Sequence, residues 1–182
     1  WEWIVTPKGD PFLMEVNTRI QVENGVSGII SRIAGRPETE AGVDIIAEQI
    51  RLALGEPLGY SQEDIRFSGV GIEYRILAED PANRFTPCLG CIERFSWREE
   101  PWLRLHTQVP VLAEGDAPYE IPMDFDPNLA LAIVWGENLA QARERGVAFL
   151  SALTLTGSDT KGESLRTNVE FLMNRTQTIL HF

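Results

Sequence analysis

The first part of the chain has two apolar-rich runs separated by turn-forming residues, as a two-stranded hairpin does. Two apolar-rich runs flank four turn-forming residues that begin at Pro7, which predicts a hairpin within the first 23 residues. If those four residues form the loop, Thr6 faces Pro11. Counting outward from that pair places Glu2 directly opposite Glu15. Facing carboxylates are destabilising unless something positive lies between them, and a divalent cation suits that position.

From Glu15 to Glu23 the chain alternates strictly between polar and apolar side chains. The odd positions carry functional side chains: Glu15, Asn17, Arg19, Gln21 and Glu23. The even positions are Val, Thr, Ile and Val, so the pattern predicts one extended segment, about 26 Å long at roughly 3.3 Å per residue, with a single polar face. Such a face is either a solvated strand surface or a site for a metal and an anion. Its carboxylate and amide oxygens favour magnesium or manganese over a softer metal.

Beyond this segment the periodicity changes. Residues 25–42 are rich in glycine and poorly periodic, and a helix is predicted from the N-cap Asp44 to about Leu54. Residues 69–79 alternate apolar and polar side chains, which predicts a half-buried strand that ends at Asp80-Pro81.

The last part of the chain combines short strands with helices. Residues 82–125 hold many prolines and short strand-like pieces, which predicts an antiparallel sheet with long turns. Two helices are predicted to follow this sheet, one over about residues 137–153 and one from Thr167-Asn168 onward.

Composition and charge exclude several classes of function. A formal charge of -11 over 182 residues repels phosphate backbones and anionic membranes, so neither a nucleic acid nor a membrane is expected as a partner. The acidic balance is typical of a cytoplasmic enzyme. The only lysines are Lys8 and Lys161, and no glycine-rich phosphate loop is present. The phosphate end of any ATP site is therefore expected outside this chain, whose first residue, Trp1, looks like a cut.

The run from Glu15 to Glu23, Glu-Val-Asn-Thr-Arg-Ile-Gln-Val-Glu, resembles the ATP-grasp strand of biotin carboxylases. The preceding hairpin, which contains Glu2, is similar to the same family. The resemblance implies that Glu2, Glu15 and Asn17 ligate the magnesium or manganese ions that bridge the phosphates of ATP.

The same resemblance implies a bicarbonate site. Arg19 would hold bicarbonate in a bidentate grip. Gln21 and the backbone of Val22 would complete the pocket. Glu23 would be the general base that deprotonates bicarbonate for attack on the terminal phosphate of ATP, giving carboxyphosphate.

A second run, from Glu73 to Pro81, resembles the strand of that family that supplies an arginine to the reaction centre. The resemblance implies that Arg75 stabilises the biotin enolate, whose negative charge develops on the ureido oxygen. From the residues alone, Arg75 is a strand arginine that pairs with Glu73 or Glu79, and this alternative stays open.

Over the whole chain the resemblance implies an α+β fold. Residues 1–58 would be the C-terminal end of an ATP-grasp domain, and residues 59–182 a biotin carboxylase C-terminal domain with a small antiparallel sheet and flanking helices. The segment Phe125–Asn128 follows the family's order, and Arg104 falls where the family places a dimer contact. The implied partners are the N-terminal ATP-binding half of the enzyme, a biotin carboxyl carrier protein, a carboxyltransferase and a second copy of the chain.

Some positions depart from the family's pattern. Asn24-Gly25 stands in place of His-Pro, in what is expected to be a loop beside the bicarbonate site. Leu131 stands in place of a lysine, so a polar contact near Asp126 is expected to be missing. Cys88 and Cys91 are interpreted as reduced thiols in a loop rather than as half of a zinc site.

Two other functions stay open at this point. A ligase of the carbamoyl-phosphate synthetase kind uses a similar Glu-x-Asn strand, typically with proline before the arginine, where this chain has Thr18. A non-catalytic module for dimerisation or scaffolding could keep the fold without the chemistry, which the missing nucleotide half and the altered Asn24-Gly25 segment favour.

Overall fold

The computed structural model describes residues 1–36, 42–124 and 128–178. Within these ranges the strands are β1 (Glu2–Val5), β2 (Pro11–Glu15), β3 (Ser31–Ile33), β4 (Ile65–Phe67), β5 (Val70–Leu77), β6 (Glu79–Asp80), β7 (Thr86–Pro87), β8 (Gly90–Ser96), β9 (Leu103–Thr107), β10 (Tyr119–Glu120), β11 (Asn128–Gly136) and β12 (Thr154–Asp159). The helices are α1 (Asn24–Ile30), α2 (Ile45–Ala53), α3 (Leu139–Ala152) and α4 (Val169–Thr178). The predicted α+β class is confirmed.

Two three-stranded antiparallel sheets form the centre of the fold, in the orders β5-β11-β9 and β10-β8-β12. One hydrophobic core joins them, because apolar side chains from both sheets and from α3 pack into a single cluster. Its members include Tyr74, Ile76, Ile92, Phe95, Ala132, Val134, Phe149 and Leu150. The strands predicted for residues 82–125 are antiparallel as expected, but they are divided among three sheets: β7 pairs with β6, β8 and β10 lie in one three-stranded sheet, and β9 lies in the other.

Helix α1 lies on the β5-β11-β9 sheet with almost no space between them. A Cβ atom on Gly25 would lie 2.8 Å from Ile133 Cγ1, and one on Gly71 would lie 2.8 Å from Ile29 Cγ2. Gly28 is equally confined, since its Cβ would lie 2.5 Å from the carbonyl oxygen of Val43. Glycine at these positions lets the helix backbone approach the sheet.

Four of the predicted elements are confirmed with small changes of boundary. Helix α2 begins after Asp44, whose side chain accepts a hydrogen bond from the backbone N–H of Ala47 at 3.0 Å. The strand predicted over residues 69–79 is β5, and Asp80 caps the short turn that follows it. The two late helices are α3 and α4.

The hairpin is present, and its register has an instructive detail. Val5, not Thr6, faces Pro11. A β-bulge between Glu2 and Trp3 then shifts the pairing by one residue, so Glu2 faces Glu15 after all. The predicted pair is confirmed, although the loop is not where the count placed it.

Other predictions were wrong. The extended segment over residues 15–23 does not form, because β2 ends at Glu15 and the chain then bends until α1 begins at Asn24. The poorly periodic stretch after residue 24 contains helix α1 and strand β3. Strands β11 and β12 were not predicted, although β11 is the middle strand of its sheet. In the described ranges, no helix has both the length and the apolar character needed to cross a bilayer.

Candidate metal and anion site

Four of the predicted site residues meet at the open end of the hairpin. The Asn17 Nδ2 group donates to Glu2 Oε1 at 2.8 Å and to Glu15 Oε1 at 3.1 Å. The Gln21 Nε2 group donates to the same Glu2 oxygen at 2.9 Å. The bend after Glu15 makes this possible, since it turns the chain back toward Glu2. The facing carboxylates are thus bridged by amide groups.

This arrangement suits a hard cation. Two carboxylates and the side-chain oxygens of two amides are the donor types that magnesium and manganese prefer. In the structure the amide nitrogens face the carboxylates, so they supply the positive edge that two like charges require. An amide acting as a ligand would have to turn its oxygen inward. No third carboxylate, histidine or cysteine joins the pair in the described part of the chain.

Glu23 and Arg75 form a second part of the site. Glu23 immediately precedes α1, which holds it beside the sheet, and Arg75 extends from β5. The Arg75 Nη2 atom lies 3.4 Å from Glu23 Oε1, so residues 52 positions apart in sequence make an ion pair. The predicted base and the predicted enolate-stabilising arginine are therefore neighbours.

Arg75 also pairs with Glu73, two residues earlier on the same face of β5. Its Nε group donates to Glu73 Oε1 at 3.2 Å. The Glu73 side chain is only 9% exposed, and no hydrogen-bond donor among the described residues reaches its Oε2 atom. The alternative that Arg75 pairs with Glu73 is confirmed, and the same guanidinium also contacts Glu23.

The remaining predicted bicarbonate residues are not assembled into a grip. The Arg19 Nη1 atom donates a hydrogen bond to the carbonyl of the next residue, Ile20, at 3.2 Å, and Arg19 is exposed. The Val22 carbonyl accepts from Asn24 Nδ2 at 3.4 Å. The single polar face predicted for residues 15–23 does not form, because the chain bends. Its side chains lie in two clusters instead, and Arg19 belongs to neither of them.

The positions that depart from the expected pattern can also be placed. Asn24-Gly25 is the start of α1 rather than a loop, and Gly25 is required for close packing on Ile133. Leu131 faces Arg75 across the β5–β11 pairing. Phe125 and Asp126, named in the predictions, lie outside the described residues.

The structure also places Arg104, Cys88 and Cys91. Arg104 donates to the Val43 carbonyl at 3.4 Å. Cys88 follows β7 and Cys91 lies within β8, so the two cysteines do not share one loop.

One residue near Arg75 was missed as a functional candidate. Asn168 was predicted only as the start of the last helix, yet its side chain is buried and its Nδ2 group donates to the Arg75 carbonyl at 2.9 Å. A signal existed, since asparagine before an apolar helical run is a typical N-cap. Its contact with a strand 93 positions away in sequence could not be read from local pattern.

The fold agrees with comparisons to known proteins. Residues 73–179 match the family model of the biotin carboxylase C-terminal domain. Residues 1–61 match the model of the carbamoyl-phosphate synthase L chain, ATP binding domain. The chain therefore belongs to the biotin carboxylase family, and the predicted resemblance is confirmed.

Named relatives are much longer than this chain. The 2-oxoglutarate carboxylase small subunit of Hydrogenobacter thermophilus is 37% identical over 173 residues, which are 95% of this chain and 32% of that protein. The chloroplastic biotin carboxylase of Arabidopsis thaliana is 37% identical over 159 residues, which are 87% of this chain and 27% of that protein. The chain thus spans about a third of the length of these relatives.

A solved structure gives the same result. The biotin carboxylase domain dimer of the Hydrogenobacter thermophilus 2-oxoglutarate carboxylase, in complex with MgADP, ADP and bicarbonate, has a TM-score of 0.77 and 35% identity. The match covers 96% of this chain and 34% of that chain. The fold is therefore that of the end of an ATP-grasp domain followed by a biotin carboxylase C-terminal domain.

Proposed function

We propose that this chain supplies the metal- and bicarbonate-binding part of an ATP-dependent biotin carboxylase. The observation that carries the proposal is the 3.4 Å contact between Glu23 and Arg75, which joins a carboxylate base to a fixed cation at the end of the metal-binding hairpin. A base and an electrostatic stabiliser side by side suit a reaction in which a proton leaves one reactant and negative charge develops on another.

The hairpin residues serve the nucleotide end of this site. Glu2, Glu15 and Asn17 would hold the magnesium or manganese that accompanies ATP, and Gln21 supports Glu2 through its hydrogen bond at 2.9 Å. The metal, when bound, neutralises charge on the phosphate oxygens during phosphoryl transfer. The similarity to a structure that contains MgADP and bicarbonate supports this assignment.

The residues after the hairpin bind bicarbonate and act on biotin. Arg19, Gln21 and the Val22 backbone bind bicarbonate, and Arg19 must swing away from the Ile20 carbonyl to do so. Glu23 takes the bicarbonate proton as a bicarbonate oxygen attacks the terminal phosphorus of ATP and ADP leaves, giving carboxyphosphate. Carboxyphosphate then breaks down to carbon dioxide and phosphate, and the phosphate takes the proton from the ring nitrogen of biotin. Arg75 stabilises the negative charge on the ureido oxygen while that nitrogen bonds to carbon dioxide.

The rest of the catalyst is supplied by other parts of the assembly. The N-terminal ATP-binding half of the enzyme provides the remaining nucleotide contacts, a carrier protein brings biotin, and a carboxyltransferase uses the carboxylated product. We place the division between the two domains after residue 58 and propose that the enzyme is a cytoplasmic homodimer. The relatives support the general scheme, since the Hydrogenobacter domain is a dimer.

A ligase of the carbamoyl-phosphate synthetase kind is the second candidate. It is favoured by the match of residues 1–61 to the ATP-binding domain of that enzyme. The match of residues 73–179 favours biotin as the acceptor instead. The two candidates differ in substrate, because only the first requires biotin for rapid ATP cleavage in the presence of bicarbonate.

The test uses the full-length gene product, in which ATP cleavage is measured with bicarbonate and with or without biotin. Wild-type protein is expected to need both, and Glu23→Gln to lower the rate by about 10²–10⁴-fold, because amide nitrogen cannot accept the proton. Glu114→Gln is the matched control, since Glu114 is exposed and remote in sequence from the site. An unchanged rate in Glu23→Gln contradicts the base assignment, and ammonia dependence in place of biotin dependence favours the second candidate.

A further inference from the structure

One residue, Asn168, binds the backbone of β5 near Arg75, at the edge of the strand that does not pair with β11. In the sheet order β5-β11-β9, one edge of β5 pairs with β11, and the other has no neighbouring strand among the described residues. At that edge the Asn168 Oδ1 atom accepts from the Leu77 N–H at 3.0 Å, and the Asn168 Nδ2 group donates to the Arg75 carbonyl at 2.9 Å. The Asn168 N–H also donates to the Leu77 carbonyl at 3.1 Å. One residue thus takes the place of a neighbouring strand over Arg75 to Leu77.

Each polar group of Asn168 is used. Beyond the contacts with β5, the Nδ2 group reaches Glu79 Oε1 at 3.4 Å, and the Asn168 carbonyl accepts from the Leu172 N–H at 2.9 Å in the first turn of α4. The residue is 3% exposed. In a buried, fully satisfied network the loss of one donor leaves its partner without a hydrogen bond, which costs more than an exposed bond does.

This contact lies at the residue whose side chain reaches Glu23. The Arg75 side chain is 44% exposed, so packing alone does not fix it, and its direction depends on the backbone from which it extends. Glu73 holds one side of the guanidinium, and Asn168 holds the peptide group at its base. Helix α4 is thereby connected to the reaction centre through one amide.

We propose that Asn168 is a positioning residue for Arg75, which rests on the proposed function. It acts through the Arg75 backbone and does not touch substrate. Without its Nδ2 donor, the edge of β5 loses its bond at the Arg75 carbonyl, and the guanidinium loses its fixed position above Glu23. The step that needs Arg75, transfer of the carboxyl group to biotin, is then impaired while formation of carboxyphosphate continues.

The test measures two quantities in the full-length gene product: ATP cleaved with bicarbonate, and carboxybiotin formed per ATP cleaved. Asn168→Asp keeps the acceptor for Leu77 but places an oxygen against the Arg75 carbonyl. We expect it to lower the ratio of carboxybiotin to ATP by about tenfold or more, because small displacements of a reacting group are costly. A lower amount of folded protein reduces both rates equally and leaves this ratio unchanged, so the ratio separates positioning from stability.

Matched variants complete the test. Asn174→Asp makes the same chemical change at an exposed position of α4 and is expected to leave the ratio at the wild-type value. Arg75→Ala is expected to lower the ratio itself, with no further decrease when Asn168→Asp is added. If Asn168→Asp does not fold, Asn168→Ser, which also lacks the Nδ2 donor, is measured in its place.

The outcomes are distinct. An active wild-type protein whose Asn168 variants keep the wild-type ratio, or whose effects add to those of Arg75→Ala, overturns the positioning role alone. A wild-type protein without biotin-dependent ATP cleavage overturns the proposed function and this inference with it. A lowered ratio that is absent in Asn174→Asp and non-additive with Arg75→Ala supports the positioning role.

Discussion

The hairpin that carries the proposed metal ligands and the sheet that carries Arg75 are built in different ways. In the hairpin, apolar side chains of both strands are exposed to solvent: Ile4 is 55% exposed and Phe12 is 60% exposed. In the β5-β11-β9 sheet, Ile76 and Val134 are fully buried. Glu2 and Glu15 are thus placed by strand register and a bulge, whereas Arg75 is placed by a packed core on one face of its strand.

The difference shows how two parts of one site acquire their geometry. A like-charge pair at the open end of a hairpin is held by the amides of Asn17 and Gln21, which are local polar contacts. The Arg75 end is held by the core, by helix α1 and by Asn168. On the proposed function, the metal ligands can therefore adjust to an ion, while the guanidinium proposed to act on biotin is held in place before the substrate binds.

The largest expected effect follows directly from this contrast in packing. Ile76→Ala in β5 should lower the free energy of unfolding by about 2–5 kcal/mol, because it leaves a cavity in the core. The same change at Ile4 in β1 should lie within about 0.5 kcal/mol of wild type in this 182-residue chain, because the side chain is 55% exposed. Urea unfolding of the two variants measures both values.

Each of the two positions serves as the control for the other, since both are isoleucines in antiparallel strands. Similar losses at Ile4 and Ile76 would show that the hairpin is packed as tightly as the sheet. In that case the proposed division into an adaptable end and a fixed end of the site would be wrong.

A smaller loss of stability is expected in the region after α1, which is stabilised by ion pairs. The Oε1 atom of Glu48 in α2 accepts hydrogen bonds from Arg36 Nη1 at 2.9 Å and from Arg51 Nη1 at 3.2 Å. The hydrogen bond from Arg36 is the main cause that lowers the pKa of the Glu48 carboxyl below its ordinary value of 4.5, against a smaller opposite effect of burial. A carboxyl whose pKa is lowered on folding stabilises the folded state above its ordinary pKa, and that stability is lost as the pH falls through the lowered value.

We therefore expect Glu48→Gln to lower the free energy of unfolding by about 1 kcal/mol at pH 7, a modest value because both arginines are partly exposed. The difference from wild type should shrink below pH 4.5, as Glu48 becomes protonated in the wild-type protein. Urea unfolding at pH 7 and at successively lower pH, with Glu56→Gln as an exposed control, measures this difference. A difference that is constant with pH contradicts the ion-pair account.

The sequence predicted the parts of this contrast that depend on local pattern. The alternation in β5, the cap at Asp44 and the facing of Glu2 and Glu15 were all predicted and are confirmed. The last of these was reached with the wrong loop, because turn residues indicate where a chain reverses but do not reveal a bulge.

The wrong predictions have tertiary causes. Strict alternation over residues 15–23 predicted a strand, but the chain bends there, and the side chains of Asn17 and Gln21 turn back to Glu2. Helix α1 was missed because Gly25 and Gly28 have low helix propensity, and only tertiary contacts explain them: Gly25 packs against Ile133 of the sheet, and Gly28 against the carbonyl of Val43. The apolar run of β11 carries no alternation because it lies in the middle of its sheet, covered on both faces.

The central claim is that Glu2 and Glu15 face each other across the hairpin in order to bind a divalent cation with a nucleotide. The most direct test is calorimetric titration of the full-length gene product with manganese–ADP, comparing wild type with Glu15→Gln and with the exposed control Glu56→Gln. The account predicts that Glu15→Gln weakens binding by about tenfold or more, since a charged ligand is lost, and that Glu56→Gln binds as wild type does. Equal affinity in wild type and Glu15→Gln would contradict it.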